Sequence, residues 1–191
     1  MKRLIMALLV SQGALGATRS EIDRLPSRAD ESKVFLQMRN SIAFIESRGD
    51  PSARNQKTSA SGKYQFIKSW DRFFLRYSGK SWTAQVPSRK APQATKFRFG
   101  QIQDQLFNRY FEIVVSPWIQ NVRKQRIGET YTDPELVAIV HRQGTKGAYL
   151  YLTKGHDPYA GKYGNRHVSK HILAMRKAMR FENYLSHMGD Q

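Results

Sequence analysis

The residue with the clearest chemical potential in this sequence is Glu46, which stands at the end of an apolar run. Gly49 and Pro51 follow it closely, and both residue types commonly end helices. A carboxyl group in a last helical turn faces the negative end of the helix dipole, and Phe44 and Ile45 are expected to keep water from it. Both effects raise a carboxyl pKa, so we expect Glu46 to keep its proton near neutral pH and to serve as a general acid. The alternative is a solvated carboxylate at a helix end.

Apolar residues spaced three to four positions apart predict helices over most of the chain. The predicted helices cover residues 34–48, 65–79, 96–125, 132–144 and 167–185. Thr132 and Glu135 form a capping-box start for the fourth helix, and Pro117 is expected to break the third. A small β-hairpin is expected near residues 56–66. Without strand alternation or an internal repeat, the sequence predicts a mainly α protein.

The N-terminus has the three-part layout of a secretory signal peptide. Two basic residues precede an apolar run over residues 4–10, and small residues follow. We predict a signal peptide over residues 1–17, cleaved near Gly16 or Ala17, and then a loosely ordered segment over residues 18–33. The run is shorter than the roughly 20 residues that span a membrane. We therefore expect an exported protein, periplasmic or extracellular, without a stable membrane span; the alternative is an ordinary apolar N-terminal helix.

The charge balance predicts a polyanionic partner. The 191-residue chain has 32 Lys and Arg residues against 15 Asp and Glu, a net charge of +17, and it contains no cysteine. Nucleic acid, an anionic membrane and an acidic cell-wall polymer all fit this charge, and export favours the wall over nucleic acid. The lack of cysteine excludes disulfides and thiolate chemistry. We find no phosphate-cradling glycine loop and no close His pair with a carboxylate on one helix face, so we expect neither a metal site nor a cofactor.

The segment IESRGDPSARNQKTSASGKYQFIKSWDRF resembles the catalytic segment of lytic transglycosylases with the goose-type lysozyme fold. In that family a catalytic glutamate at a helix end is followed by serine and glycine, and a loop then leads to a glycine, a glutamine and a tryptophan. The matching residues here are Glu46, Ser47, Gly49, Asp50, Pro51, Gly62, Gln65, Phe66, Ser69 and Trp70. The resemblance implies a lysozyme-like catalytic domain, which we place over residues 34–187.

Two later segments also resemble this family. DPELVAIVHRQGTKGAYLYL is similar to its helix-to-glycine-turn element, in the form found in phage-type members. The matching residues are His141, Gln143, Gly144, Gly147 and Ala148. NRHVSKHIL is similar to the closing segment of the family, which usually has a tyrosine where His167 stands here.

The resemblance implies cleavage of peptidoglycan between N-acetylmuramic acid and N-acetylglucosamine. Glu46 would protonate the bridging oxygen, the sugar's acetamido group would stabilise the developing cation, and ionised Glu46 would then take the proton of the 6-hydroxyl, giving a 1,6-anhydro product. No second carboxylate is needed, and Asp50 and Asp71 most simply belong to a turn and to a helix start. The residues that we expect to contact the glycan strand are Ser47, Tyr64, Gln65, Phe66, His141, Gln143, Tyr163 and His167.

Several alternatives stay open at this stage. Gln65 could brace its loop and His141 could be a satisfied core histidine, and we expect one of Tyr64 and Phe66 in the core and the other at the cleft. Water could replace the 6-hydroxyl, which would make the protein a muramidase. A non-enzymatic basic protein that binds the wall or another polyanion through NVRKQR and RKAMR is a further alternative. We expect a monomer with peptidoglycan as its partner, and other anionic wall polymers as further candidates.

Overall fold

Six α-helices make up most of this computed structural model, which describes residues 33–155 and 168–188. Their bounds are α1 Lys33–Ser47, α2 Asp71–Ser78, α3 Gln93–Tyr110, α4 Ser116–Lys124, α5 Asp133–Lys154 and α6 Val168–Met188. Two 3₁₀ helices, Lys68–Trp70 and Thr83–Gln85, and a π-helical segment, Phe111–Val115, complete the helical parts of this region. The prediction of a mainly α protein is confirmed. The predicted signal peptide, residues 18–32, Tyr163 and His167 lie outside the described residues.

The apolar faces of the helices meet in one core. On α1 the buried residues Met38 and Ile42 are four positions apart, and on α6 Ile172 and Met175 are three apart, so each pair lies on one face of its helix. The helix α6 packs mainly against α1 and α5. This packing brings the end of α1, the middle of α5 and the start of α6 together, although they are far apart in sequence.

An aromatic cluster fixes the loop between α1 and α2 onto the helices. Phe66 from this loop is 3% exposed and lies at the centre of the cluster. Its ring centroid is 4.9 to 5.6 Å from five other rings, those of Trp82, Tyr110, Phe74, His141 and Trp70. Because edge-to-face ring pairs add about 0.5–1.5 kcal/mol each beyond their buried area, the loop is held firmly at this point.

The buried side chain of Gln103 joins the loop between α1 and α2 to the 3₁₀ helix Thr83–Gln85. Its Oε1 accepts the N–H of Lys63 at 2.8 Å, and its Nε2 donates to the carbonyls of Pro51 at 2.9 Å and Gln85 at 2.7 Å. A fully buried amide costs free energy unless its donors and acceptor are satisfied, and here all three bonds go to main-chain atoms. Gln103 therefore fixes the main chain around the loop that leads from α1 to α2.

The structure differs from the sequence prediction at the expected hairpin and at the expected helix break. Within residues 56–66, Ser61 forms isolated antiparallel bridges with Arg54 and Phe66, without a regular strand. Pro117 does not stop the helical path, because the π-helical segment ends just before it and Pro117 stands in the first turn of α4. A proline inside a continuous helical path removes an N–H and crowds the carbonyl four residues before it. The π turn, in which the N–H of Ser116 donates to the carbonyl of Phe111 five residues back, widens the path at that point.

Helix ends follow the local rules only in part. The capping box of α5 is confirmed, since Glu135 Oε2 accepts the N–H of Thr132 at 2.7 Å. Gly79 ends α2 with a left-handed φ of 65°. Gly144 was expected to end α5 but only kinks it, at φ 65° and ψ 168°, and the helix continues to Lys154. No helix in the described part of the chain is long and apolar enough to cross a membrane.

Candidate active site

Glu46 occupies the last turn of α1, as the sequence predicted. The helix ends at Ser47, and two left-handed residues follow, Arg48 at φ 60° and Gly49 at φ 78°. The N–H of Gly49 donates to the carbonyl of Ala43 at 3.1 Å and closes the helix end. Gly49 was expected to end the helix, and it does so in the left-handed conformation, which Arg48 shares.

The carboxyl group of Glu46 lies at the wall of an open cleft of about 660 Å³. The residues that line this cleft are Glu46, Asn55, Lys57, Thr58, Ser59, Ala60, Gln65, Phe66, Ile67, Trp70, His141, Arg142, Gln143 and Gly144. Among these described residues Glu46 is the single acid, and its side chain is 16% exposed. The cleft therefore combines one reachable carboxylate with hydroxyl, amide and aromatic groups, the side chains that suit a sugar polymer.

Two buried histidines stand beside Glu46. Nε2 of His171, on α6, is 3.2 Å from Glu46 Oε1, and Nε2 of His141, on α5, is 3.9 Å from the same oxygen. Nε2 of His141 is also 2.9 Å from the carbonyl oxygen of Tyr64. Because a carbonyl only accepts hydrogen bonds, this contact assigns the proton of the neutral His141 ring to Nε2. Burial lowers the pKa of His141, although the charge of Glu46 acts against that effect.

The pKa of Glu46 moves in the direction opposite to our expectation. Burial raises it, but the contact with His171 and the neighbouring basic side chains His141, His171 and Arg142 together outweigh burial, so the pKa of Glu46 lies below the ordinary glutamate value. Phe44, expected to shield the carboxyl, is itself 47% exposed. The sequence argument failed because it considered only neighbours on α1, whereas the deciding charges come from α5 and α6.

Gln65 lies on the cleft wall and also braces its own loop. It is a non-glycine residue with a φ of 50°, and its Nε2 donates to the carbonyl of Gly62 at 2.9 Å. Strained backbone of this kind persists only where the surrounding structure holds it, and it is concentrated at functional sites. Ser47 does not line the cleft, since its hydroxyl donates to the carbonyl of Lys63 at 2.8 Å and so joins the helix end to the loop.

The structure places the two aromatic residues beside Gln65 differently. Tyr64 is fully buried, stacks on Phe107 with 4.3 Å between ring centroids, and donates its hydroxyl to Asp104 at 2.6 Å. Its ring therefore does not line the cleft, which corrects the expectation that it contacts the glycan, and only its carbonyl reaches the site through His141. Phe66 lines the cleft although most of its ring is in the core.

The remaining candidates on α5 come together at the kink of that helix. His141, Gln143 and Gly144 all line the cleft, and Arg142 between them was not predicted. Asp50 and Asp71 are used elsewhere, as expected. Asp50 accepts two hydrogen bonds from Ser52 in a turn, and Asp71 accepts two from Thr83.

His171 is the residue that sequence reasoning missed. His167 in the same segment matches a position of the family motif, whereas the resemblance gives no role to the next histidine, His171. A pattern in the sequence could have found it, because His171 lies on the apolar stripe of α6 with Val168, Ile172 and Met175. A histidine on a buried stripe needs a polar partner from another element, and Glu46 is that partner.

Comparisons with known proteins identify no family for this chain. No protein family, curated protein or solved structure matches the chain. Within the described residues no group of three or more histidines and acids is arranged to hold a metal ion.

Proposed function

We propose that this protein cleaves the bond between N-acetylmuramic acid and N-acetylglucosamine in peptidoglycan as a lytic transglycosylase with a lysozyme-like catalytic domain. The observation that carries the proposal is the single acid in the cleft, Glu46, which stands at a helix end beside two buried histidines. The motif resemblance around Glu46, Gly62 and Gln65 supports it. One carboxyl group is enough when the substrate's acetamido group takes the place of a second carboxylate.

In this mechanism Glu46 acts twice. As a carboxylic acid it gives its proton to the bridging oxygen, while the electron pair of the breaking bond moves to that oxygen. The 6-hydroxyl oxygen of the muramoyl residue then bonds to the anomeric carbon, and ionised Glu46 takes the hydroxyl proton. The products are a free 4-hydroxyl on one fragment and a 1,6-anhydro ring on the other, and the enzyme regains its proton.

The cleft walls can bind the sugars on both sides of the reacting bond. Gln65 and Asn55 offer amides to hydroxyl and acetamido groups, and Trp70 and Phe66 offer aromatic surface to the apolar faces of the rings. Exported to the periplasm or beyond, a molecule with a net charge of +17 would be concentrated on the acidic wall.

Two alternatives make different predictions. A muramidase would use the same Glu46 but let water attack, and a wall-binding protein without activity would not need an acid in the cleft. Digestion of purified sacculi followed by mass analysis separates all three, because anhydro-muropeptides lack one water relative to hydrolysed ones. We expect anhydro ends. Hydrated ends would establish the muramidase, and an absence of fragments would refute enzymatic cleavage.

A further inference from the structure

The contact between His171 and Glu46 is a polar contact between two side chains with little exposure to solvent. Nε2 of His171 is buried and makes no well-aligned hydrogen bond within the described region, yet it lies 3.2 Å from Glu46 Oε1. Buried polar atoms are normally satisfied, and this distance is within reach of a hydrogen bond. A proton between the two atoms satisfies both.

His141 cannot take this role although it is also close. Its Nε2–H is directed to the carbonyl of Tyr64 at 2.9 Å, and the same atom is 3.9 Å from Glu46 Oε1. Burial lowers the pKa of His141, so its neutral form is favoured. The other basic side chains that line the cleft are Arg142 on α5 and Lys57 on the loop between α1 and α2. His171 is the group placed to exchange a proton with Glu46, because its imidazole Nε2 lies within hydrogen-bond reach of the carboxyl oxygen.

We propose that Glu46 and His171 form a dyad that holds one proton between them over a wide range of pH, with His171 acting as a positioning residue through Glu46. The sharing of the proton rests on the geometry alone, whereas its use in catalysis rests on the proposed function. The sequence resemblance gives no residue this role.

The proton follows a closed path. In the open cleft it resides on Nε2 of His171 and faces the carboxylate of Glu46. When sugars displace water, two neutral groups are favoured over two charged ones, so the N–H bond breaks and an O–H bond forms on Glu46. Glu46 then gives this proton to the bridging oxygen, and the proton of the 6-hydroxyl comes back to the carboxylate and is shared again with His171.

A dyad of this kind titrates in two steps that belong to the pair. Between the two steps the pair carries one proton, so the fraction with the proton on Glu46 does not change with pH. A lone carboxyl behaves differently, because its protonated fraction falls about tenfold for each pH unit above its pKa. His171→Gln keeps an amide donor of similar reach and removes the second titration, and His141→Gln is the matched control.

The test uses the full chain with ¹³C-labelled glutamate carboxyl groups and ¹⁵N-labelled histidine, followed by NMR from acid to alkaline pH. Glu46→Gln identifies the Glu46 signal by its absence. In the wild type we expect two steps in the Glu46 signal, the second coinciding with the titration of His171. We expect one step in His171→Gln and two in His141→Gln. A single step in the wild type would overturn the dyad, and this result does not require either variant to fold.

The pH profile of kcat/KM on peptidoglycan tests the catalytic use. We expect the wild type to be nearly flat between the two steps and His171→Gln to fall about tenfold per pH unit there. Parallel profiles would mean that His171 has no part in the proton path. Two-step titration without any glycan cleavage would support the dyad and refute the proposed function. Glycan cleavage without two-step titration would support the proposed function and refute the dyad.

Discussion

Gly62 should be among the residues of the loop that are least tolerant of substitution. Its φ is 73°, and a Cβ added there would lie 2.7 Å from Cζ2 of Trp82 and 2.8 Å from Oε1 of Gln103. Trp82 is fully buried and Gln103 is held by three hydrogen bonds, so neither can move freely. We therefore predict that Gly62→Ala destabilises the fold and displaces the Gln103 amide.

Two effects contribute to the destabilisation that we expect for Gly62→Ala. An L-residue in the left-handed region costs about 1–2 kcal/mol, and an overpacked methyl group in a tight interior costs about 1–3 kcal/mol more. Gly49→Ala isolates the first effect, because Gly49 has a φ of 78° and nothing lies within 4 Å of an added Cβ. With roughly 2–4 °C for each kcal/mol in a protein of this size, Gly62→Ala should lower Tm by about 10 °C and Gly49→Ala by about 4 °C.

Thermal unfolding followed by circular dichroism measures both variants under the same conditions. The loop also carries the Tyr64 carbonyl that holds His141, so the Gly62 variant should lose activity at temperatures where it is still folded. If the two alanine variants melted within about 2 °C of each other, the contact of Gly62 with Trp82 and Gln103 would not be the constraint that we infer.

Two further predictions concern charge. Burial raises the pKa of Glu135, but its bonds to Arg176 and to the N–H of Thr132 lower it below the ordinary value. The pairing thus stabilises the fold at pH values above the unfolded pKa of about 4.3, and this stabilisation is lost as pH falls through the lower pKa of the folded state. The Tm difference between wild type and Glu135→Gln should therefore shrink on acidification. Lys124 and Lys177 are exposed and have no ion pair within the described residues, so reversing both charges should weaken sacculus binding at about 0.05 M salt. The loss should become smaller at about 0.5 M salt, where exposed charges are screened. Cleavage of a short uncharged oligosaccharide should change little, and an equal loss on both substrates would place these lysines in the cleft.

Local sequence rules predicted the helices and the end of α1 because the forces involved act over a few residues. Apolar spacing located the helices, and glycine chemistry located the left-handed turn at Gly49. The same rules erred at Pro117 and Gly144, where neighbouring structure accommodates a residue that usually stops a helix. Whether such a residue stops or kinks a helix depends on packing that a local pattern does not contain.

The sequence predicted individual residues of the candidate site, but not the interactions that packing creates between them. Glu46, Gln65 and His141 do meet at one cleft. The sign of the Glu46 pKa shift depends on His171, which reaches it through the packing of α6 on α1. The sequence likewise does not show which basic residues are already bonded in the fold. Arg123 in NVRKQR donates to the carbonyls of Gly128 and Tyr131 and is therefore not a free surface charge.

The most direct test of the central claim is glycan cleavage by Glu46→Gln. Removing an essential acid costs on the order of 10²-fold or more, and the amide keeps the size of the side chain, so the variant should fold and release almost no muropeptides from sacculi. Glu129→Gln is the matched control, because Glu129 is an exposed acid paired with Arg126, and it should keep full activity. Near-normal muropeptide release by a folded Glu46→Gln would contradict the assignment of Glu46 as the acid and base of this protein.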